Sequence, residues 1–411
     1  MYLCIDLKSF YASVECSLRG LDPFKTPLVV CDLERSKNSI CLAVTPYLKE
    51  LGVKSRTRIN DLPKIKNMIY AKPRMRKYME FSKEIYKIYL SFFSKEDIHV
   101  YSIDEVFINL TPYLKYKKKT VLEFAKDVMK KIYENTKITS TSGIGKNMFL
   151  AKIALDCQAK KSKDNIGFMT DEIFYNYIHF LDIKDIFGFS DGYAKRLKKF
   201  NVKNLHDLSK INVCDLEKEF GIIGREMHEH SFGIDNVDIY EVKNYMIKRK
   251  SLTHGQVLMR DYEANEIKTI ILEMTDLLVL DLLRNNYKCR CVGLSIVYKD
   301  EGGFGRQITL ESSTNSQKKI LDAMYSLYDK FIDNSKLIRG VRIRASQLEI
   351  NDYTNFNLFE NIELLEKERK FYKVYDDIKE KFGKNSINKA ISYTEEGNQI
   401  FRNTLIGGHN E

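Results

Sequence analysis

The first 165 residues or so alternate between two hydrophobic periods. YLCIDL has the period of a strand, from about Tyr2 to Asp6, and SFYASVECSLRG (residues 9–20) has the spacing of a helix that ends at Gly20. Further strands are predicted at PLVVC and ICLAV, a short helix near residues 46–51, and longer helices at EFSKEIYKIYLSFF and VLEFAKDVMKKIYENT. Strands that alternate with helices predict an α/β unit.

Two adjacent acids interrupt a segment that otherwise has the composition of a buried strand. The segment IHVYSIDEVFINL, from Ile98 to Leu110, is aromatic and β-branched, and it predicts one strand. Because strand side chains alternate between faces, Asp104 and Glu105 cannot both reach water if one face is buried. A desolvated carboxylate is costly unless it is paired or bound to a metal. A hairpin tip at these residues, which would leave both acids solvated, is the alternative.

The pattern changes twice further along the chain. Residues 167–233 carry short helical segments separated by lone glycines, which predicts a small helical domain, and residues 234–246 are predicted to be a linker. Residues 252–350 predict the element order β-α-β-β-α-β. Residues 351–411 contain one helix-like stretch and no obvious core.

The length and the net charge of the chain limit the classes of protein to which it can belong. The 411 residues predict about two to four domains, and the formal charge of +11 favours a polyanionic partner, nucleic acid before a membrane surface. No apolar run reaches the ~20 residues of a membrane helix, and the first residues lack the pattern of a secretory signal. We therefore predict a cytoplasmic protein with no membrane partner. The eight cysteines include no CxxC pair and are predicted to be reduced.

Metal binding is another explanation for the acids at positions 104 and 105. Carboxylates are hard oxygen ligands that suit Mg²⁺, which takes its other ligands from water and substrate phosphates. A third carboxylate is needed from a neighbouring strand, and Asp6, at the end of the first predicted strand, is the best candidate. The alternative role of Asp6 is to cap the helix that follows it.

Three motifs occur in a characteristic order, namely DLKSFYASVE (6–15), SIDE (102–105) and GIGKNMFLAKIA (143–154). In that order and at those separations they resemble the Y-family translesion DNA polymerases, most closely the bacterial UmuC-like branch, over roughly residues 1–350. The resemblance implies an α/β and α+β multidomain fold, a right hand with palm, fingers, helical thumb and a β-α-β-β-α-β little finger. The implied domains are palm (1–20 and 75–165), fingers (21–74), thumb (166–233), linker (234–246), little finger (247–350) and a C-terminal tail (351–411).

The resemblance implies a template-directed, error-prone DNA polymerase that performs translesion synthesis in the DNA damage (SOS) response. It makes Asp6, Asp104 and Glu105 the catalytic, metal-binding carboxylates, with the backbone carbonyl of Leu7 as a further ligand. These groups would hold two Mg²⁺ ions, with Mn²⁺ as an alternative, for nucleotidyl transfer from a deoxynucleoside triphosphate to a primer 3′-hydroxyl. Primer-template DNA is the implied partner.

The same motifs imply a set of nucleotide-binding side chains, namely Phe10, Tyr11, Tyr47, Lys49 and Lys152. Tyr11 matches the family's steric gate, a ring under the sugar that excludes a 2′-hydroxyl, whereas helical periodicity alone would make it a core aromatic. Lys152 and Lys49 would bind the triphosphate, although isolated lysines are usually solvated. Many members place a phosphate-binding Tyr where this chain has Pro46, so Tyr47 departs from the family pattern by one position.

Basic and apolar residues alternate in YKCRCVGLSIV and in GVRIRAS. The period of two puts Lys288 and Arg290, and likewise Arg342 and Arg344, on one face of their strand. We predict that this basic face, which resembles that of the family's little finger, binds DNA phosphates without reading the base sequence. The alternative is a half-exposed sheet whose charges are only solvated.

The tail contains NFNLFEN (355–361), which resembles the pentapeptide by which bacterial polymerases bind a sliding clamp, although Asn355 stands where Gln is usual. Phe356, Leu358 and Phe359 would contact the clamp, and packing on the protein's own body is the alternative. The UmuC-like branch also implies an accessory mutagenesis protein as a partner. Two alternative functions are a noncatalytic DNA-binding scaffold at stalled forks, which would not need the three acids, and a metal-dependent nucleotidyl cyclase, which would not need the basic downstream domain.

Overall fold

The structure of the chain is a computed structural model, which describes residues 1–34, 39–116, 119–245, 251–351 and 362–410. The described residues form two compact units, one up to Tyr245 and the other beyond it. Each unit has its own buried hydrophobic core. No helix in these ranges is long and apolar enough to span a membrane.

The first unit is organised by a five-stranded sheet and a smaller one. Its strands are β1 (Tyr2–Leu7), β2 (Leu28–Val30), β3 (Ala43–Val44), β4 (Ile69–Ala71), β5 (Ile98–Val100), β6 (Glu105–Asn109), β7 (Ser140–Gly145) and β8 (Ile166–Phe168). The larger sheet has the order β5-β6-β1-β7-β8, and the smaller has the order β3-β2-β4. β1 is antiparallel to both of its neighbours, and its Leu3, Cys4 and Ile5 are fully buried. The central strand of the first unit is therefore covered on both faces.

The segment that contains Asp104 and Glu105 is a hairpin, so the prediction of one continuous strand is wrong. β5 and β6 pair antiparallel, with Ile98 opposite Ile108, and residues 101–104 form the tip. Glu105 is the first residue of β6 and is buried, with 8% of its surface exposed. The alternative of a hairpin tip is therefore correct, but its expectation that both acids are solvated is wrong for Glu105.

Hydrogen bonds from three elements hold the hairpin tip. The bonds run from the N–H groups of Tyr101 and Ser102 to the carbonyl of Glu105 (3.0 Å each), from the N–H of Leu7 to the carbonyl of Asp104 (3.0 Å), and from the hydroxyl of Ser82 to the carbonyl of Ile103 (2.7 Å). Since β1 and the helix that carries Ser82 both contribute, the tip is fixed relative to the sheet.

The helices of the first unit lie beside these sheets or, after β8, share a separate hydrophobic cluster with the helix that begins at Met148. They are α1 (Phe10–Ser17), α2 (Pro46–Glu50), α3 (Met75–Phe92), α4 (Thr111–Tyr116), α5 (Val121–Thr136), α6 (Met148–Ile153), α7 (Asp171–Asn176), α8 (Asp191–Leu197), α9 (Leu205–Ser209), α10 (Val213–Phe220), α11 (Ile222–Ser231) and α12 (Ile239–Asn244). α6 continues into a π-helical turn, Ala154–Gln158, and then into a short 3₁₀ helix, Ala159–Lys161. Further 3₁₀ turns lie at Ile59–Asp61, Lys95–Asp97, Ile178–Phe180, Ile183–Asp185 and Lys198–Phe200.

The helical region after β8 is joined to the start of α6. The amide of Asn147 donates to the carbonyl of Gly233 (2.9 Å), and Asp235 accepts a hydrogen bond from the N–H of Phe149 (3.2 Å). The rings of Phe149 and His230 stack at 4.0 Å with an interplanar angle of 5°. The end of the helical region thus caps the helix that carries Lys152.

The second unit is a four-stranded antiparallel sheet with two helices. Its elements follow the order β9 (Ser251–Tyr262), α13 (Ile267–Arg284), β10 (Tyr287–Tyr298), β11 (Gly303–Thr314), α14 (Gln317–Phe331) and β12 (Ile338–Ile350), with a 3₁₀ turn at Ala264–Glu266. The sheet order is β11-β10-β12-β9. The predicted β-α-β-β-α-β order is therefore confirmed. α13 and α14 contribute to one core with the sheet, which leaves its other face open.

The end of the chain belongs to the core of the second unit, which the sequence analysis did not predict. It forms α15 (Ile362–Phe382), a 3₁₀ turn (Ala390–Tyr393), α16 (Gln399–Asn403), β13 (Leu405–Ile406) and β14 (His409–Asn410). Two buried carboxylates of α13 hold this segment. Glu273 accepts the N–H groups of Asn398 and Gln399 (3.1 Å each), and Asp276 accepts the hydroxyl of Tyr372 (2.9 Å) and the ammonium of Lys389 (2.8 Å).

Candidate active site

Three acidic residues lie together at one end of β1 and β6. Asp6 stands directly opposite Glu105 in the antiparallel register, and Asp104 precedes Glu105 at the hairpin tip. The hydroxyl of Ser102 donates to the carboxylate of Asp104 at 2.6 Å. Strand pairing therefore brings the predicted carboxylates to a single edge of the sheet, with two of them fixed on neighbouring strands.

Glu105 is already paired within the protein. Its Oε2 lies 2.7 Å from the ammonium of Lys152, and each side chain is only 8% exposed. Its Oε1 accepts a hydrogen bond from the thiol of Cys4 at 3.4 Å. Burial acts to lower the pKa of Lys152, but the hydrogen bond and charge of Glu105 outweigh it, and the pKa lies above its ordinary value. Lys152 is therefore charged.

A second lysine, which the sequence analysis missed, lies beside Asp6. Lys152, Asp156 and Lys160 are four residues apart, so the path of α6 through the π-helical turn puts them in one row. Asp156 lies 2.6 Å from Lys160 and 3.5 Å from Lys152, and Lys160 lies 4.0 Å from Asp6. The K-x₃-D-x₃-K spacing was the available sequence signal.

The site carries more negative charge than its lysines compensate. The pKa of Asp6 is raised to about 6, first by burial, which Lys160 opposes, and then by the charges of Asp104 and Glu105. Within the ranges that the structure describes, no group of three or more His, Cys, Asp or Glu side chains is arranged to hold a metal ion. The carboxylate of Glu105 is paired with Lys152. The donor set itself, carboxylate oxygens with excess negative charge, fits a hard divalent ion.

The ring of Tyr11 lies next to the acids. It stacks on Tyr78 of α3 with a centroid distance of 4.6 Å and an interplanar angle of 24°. Burial, followed by the charge of Asp104, raises its pKa. Tyr11 is half-buried, whereas the neighbouring Phe10 is buried. One face of Tyr11 is therefore fixed by packing beside the carboxylates, and its role as a steric gate stays a prediction.

A buried carboxylate supports the ring under Tyr11. Glu15 of α1 accepts hydrogen bonds from the hydroxyl of Tyr78 (2.9 Å) and from Arg74 (2.6 and 3.0 Å), and it pairs with Arg19. Burial acts to raise the pKa of Glu15, but these hydrogen bonds outweigh it, and the pKa lies below its ordinary value. Glu15 thus holds α1 and α3 in the relation that stacks Tyr11 on Tyr78.

The other predicted nucleotide-binding residues differ in how far their side chains are exposed to solvent. Lys49 is exposed at the end of α2. Partial burial of its side chain lowers its pKa; the negative charge of Asp6 acts to raise this pKa, and the positive charge of Lys160 acts to lower it. Tyr47 is half-buried and packs against the core of the smaller sheet. Lys152 is enclosed by its acidic partners, whereas the side chain of Lys160 is 43% exposed. Among these lysines, Lys160 and Lys49 are the two that remain accessible to solvent.

The open face of the second unit carries part of the predicted basic surface. Arg342 and Arg344 are exposed and alternate with the buried Val341 and Ile343. Their neighbours across the sheet are small, namely Ser295 and Gly293 on β10 and Gly255 and Thr253 on β9. The two guanidinium groups therefore stand on a surface that a polymer backbone can approach closely.

The remaining basic residues lie where β10 is irregular. Arg290 is exposed and Lys288 is half-buried, opposite Glu349. Cys291 and Val292 are both buried, so the alternation expected from the sequence breaks between them. Phe356, Leu358 and Phe359, the predicted clamp contacts, lie outside the described residues.

Comparison with known proteins gave consistent matches. Residues 5–156 match the model of the impB/mucB/samB family, and residues 249–358 match that of its C-terminal domain. A putative UV-damage repair protein UvrX of Bacillus subtilis is 32% identical over 99% of this chain and 97% of its own length. DNA polymerase IV 2 of the same organism is 30% identical over 98% of this chain and 97% of its own length.

Solved structures share the fold. A Y-family DNA polymerase chimera of Dbh and Dpo4 superimposes with a TM-score of 0.65 at 24% identity, over 85% of this chain and 99% of the chimera. An insertion ternary complex of Dbh DNA polymerase gives a TM-score of 0.51 at 23% identity, with the same coverage.

Proposed function

Because the chain belongs to the impB/mucB/samB family of Y-family DNA polymerases, we propose that its acids at the edge of the larger sheet catalyse primer extension. The chain is a DNA-directed DNA polymerase of translesion synthesis that acts on primer-template DNA and deoxynucleoside triphosphates and depends on a divalent metal. The observation that carries the proposal is the pairing of Asp6 opposite Glu105, with Asp104 beside it. The scaffold function is not favoured.

The experiment is primer extension by the purified chain on undamaged and abasic templates. Extension without any other protein supports the assignment and argues against an obligatory accessory mutagenesis protein. Retained primer-template binding without extension, under Mg²⁺ and under Mn²⁺, would favour the noncatalytic scaffold instead.

The proposed roles of the acids follow from their rigidity and charge. Two Mg²⁺ ions, when bound, neutralise the triphosphate and lower the pKa of the primer 3′-hydroxyl. Asp6, Asp104 and Glu105 would hold them, with the carbonyl of Leu7. β1 and β6 fix the backbone positions of Asp6 and Glu105 through their strand hydrogen bonds, so the side chain of Glu105 has only to exchange Lys152 for a metal ion.

We assign the triphosphate to the exposed lysines. Lys160 lies 4.0 Å from Asp6 and keeps solvent access, and Lys49 lies within the electrostatic range of the same acid. Lys152, which the sequence analysis proposed for this role, has its ammonium between Glu105 and Asp156. This enclosure supports Lys160 in its place. The half-exposed face of Tyr11 supports its role under the sugar.

Substitutions of Tyr11 and of Lys160 should affect different quantities, namely sugar selectivity and KM. Each variant therefore serves as the control for the other. Tyr11→Ala removes the ring that excludes a 2′-hydroxyl, so we expect ribonucleotide incorporation to rise relative to deoxyribonucleotide incorporation. Lys160→Met removes a charge-assisted hydrogen bond, so we expect KM for deoxynucleotides to rise about tenfold while the sugar ratio stays unchanged. Steady-state single-nucleotide insertion measures both quantities. Unchanged sugar discrimination in Tyr11→Ala would refute the gate, and an unchanged KM in Lys160→Met would refute the phosphate contact.

Arg342 and Arg344 are proposed to bind DNA phosphates on the open face of the second unit. The double variant Arg342→Gln/Arg344→Gln should reduce the slope of log K against log salt by about two and weaken binding to all sequences similarly. Fluorescence anisotropy with duplex DNA at several salt concentrations measures the slope. Lys318→Gln/Lys330→Gln is the matched control because both lysines are exposed on α14, on the covered side of the sheet. Equal slopes in the two double variants would contradict the proposal.

The domain and clamp assignments rest on the sequence. We propose palm for residues 1–20 and 75–165, fingers for 21–74, thumb for 166–233 and little finger for 247–350. We also propose that residues 355–361 bind a sliding clamp, since three large apolar side chains occur in a polar stretch.

Deletion of residues 355–359 tests the clamp assignment. We expect distributive synthesis to be spared and stimulation by the clamp to be lost, measured as product length with and without the clamp. Equal stimulation of the deletion variant and the wild type would contradict it.

A further inference from the structure

Lys152 and Glu105 form an enclosed ion pair at the centre of the carboxylate site. Lys152 binds one oxygen of Glu105 at 2.7 Å, and the thiol of Cys4 donates to the other at 3.4 Å. Both oxygens of this acid therefore have partners within the protein. A ligand that needs Glu105 must compete with them.

The ion pair continues as a row of alternating charges. Asp156 lies 3.5 Å from Lys152 and 2.6 Å from Lys160. Lys160 in turn lies 4.0 Å from Asp6. With Asp104 and Glu105 the site has four carboxylates; two ammonium groups lie in this row, and Lys49 of α2 acts on Asp6 and Asp104 as well. Of the four acids, Glu105 is the one whose carboxylate is paired with an ammonium group while both side chains are almost fully buried.

We infer that Lys152 is a resident counter-ion, which holds Glu105 in the metal-free protein and must release it before this carboxylate can bind a divalent ion. Burying an ionised carboxylate without a compensating charge is costly, and Lys152 supplies that charge when no ion is present. Lys152 consequently lowers the affinity of the protein for free divalent ions. The inference rests on the proposed function, since it takes Glu105 to be a metal ligand.

Binding of Mn²⁺ to the full chain, without DNA or nucleotide, is the direct test. Isothermal titration should give a dissociation constant for Lys152→Met that is tighter than that of the wild type by about tenfold or more, because a competing positive charge is gone. Lys152→Arg keeps the charge and should bind within about threefold of the wild type. Lys146→Met is the matched control and should bind as the wild type does, because Lys146 pairs with Asp171 at the surface.

Thermal unfolding in EDTA is a second readout that does not depend on activity. Lys152→Met should lower the midpoint temperature because Glu105 is left buried without a charged partner, and adding Glu105→Gln should recover most of the loss. Mn²⁺ should raise the midpoint of Lys152→Met more than that of the wild type. If Lys152→Met does not fold in EDTA, the same comparisons are made with Lys152→Gln, which keeps a polar side chain.

The outcomes distinguish failure of the counter-ion role from failure of the proposed polymerase function. Unchanged or weaker Mn²⁺ binding by both neutral variants would overturn the counter-ion role, as would a double variant no more stable than Lys152→Met. A wild-type chain that binds Mn²⁺ but extends no primer would overturn the proposed function instead.

Discussion

Asp104→Asn and Glu105→Gln should each lower primer extension by about a thousandfold or more while leaving primer-template binding intact. Each substitution removes one negative charge and keeps the shape of the side chain. The contribution of a metal-bound carboxylate to the transition state is several kcal/mol, and about 4 kcal/mol corresponds to a thousandfold change in rate. Single-turnover extension measures the rate, and fluorescence anisotropy measures binding to the primer-template.

The control for these variants is another acid of the same hairpin region. Asp97 precedes β5 and accepts a hydrogen bond from the hydroxyl of Tyr113 at 2.7 Å, away from the carboxylate site. Asp97→Asn should extend primers at the rate of the wild type. If Asp104→Asn and Glu105→Gln both retain more than about a tenth of the wild-type rate, these carboxylates do not carry the chemistry.

Glu15→Ala should destabilise the protein by about 2–4 kcal/mol. Glu15 has no exposed surface and accepts hydrogen bonds from Arg74 and Tyr78. Its removal leaves the Tyr78 hydroxyl buried without this acceptor, whereas the two arginines can still reach water, which limits the loss. Urea denaturation measures the free energy of unfolding. Glu84→Ala is the control, because Glu84 makes an exposed pair with Lys87 on α3, and it should have no measurable effect.

The stabilisation by Glu15 should depend on pH in a defined direction. Its pKa is lower in the folded protein than its ordinary value, so the folded state favours the ionised form. The contribution is therefore complete above the unfolded pKa of about 4.3 and is lost as the pH falls through the folded pKa. The difference in free energy of unfolding between the wild type and Glu15→Ala should accordingly shrink below about pH 4. A constant difference from pH 7 to pH 3 would contradict the ion-pair explanation.

The second unit could be predicted in detail because its signals are local. Each strand of the sheet has its own alternation, and each helix has its own apolar face, so the order β-α-β-β-α-β follows from short windows. The hairpin at 98–109 could not be predicted in the same way. Its turn contains no Gly, Pro or Asn, and its aromatic and β-branched residues continue the pattern of a strand through the tip.

The sequence motifs predicted which acids lie together in the site. They did not predict which lysine contacts which acid, because those contacts depend on how distant parts of the chain pack. Asp6 and Glu105 were paired correctly as neighbours because strand ends meet at one edge of a sheet. The proposal of Lys160 in place of Lys152 depends on which lysine Glu105 encloses, and this follows from the packing of α6 on the larger sheet. No local pattern carries that information.

The docking of the C-terminal segment on α13 was missed for a similar reason. The carboxylates of Glu273 and Asp276 and their partners are roughly 100 residues or more apart along the chain. In the sequence, those two acids look like ordinary polar positions of a helix. Burial of both identifies them as internal anchors.

These two anchors also limit how the end of the protein can be shortened. A truncation after residue 351 would remove the Tyr372, Lys389, Asn398 and Gln399 groups that satisfy them, and it would expose apolar surface of α13 to water. Loss of function in such a truncated variant would report misfolding of the sheet domain before it reported anything about a partner. Studies of the chain terminus therefore require internal deletions or point substitutions that keep residues 362–410.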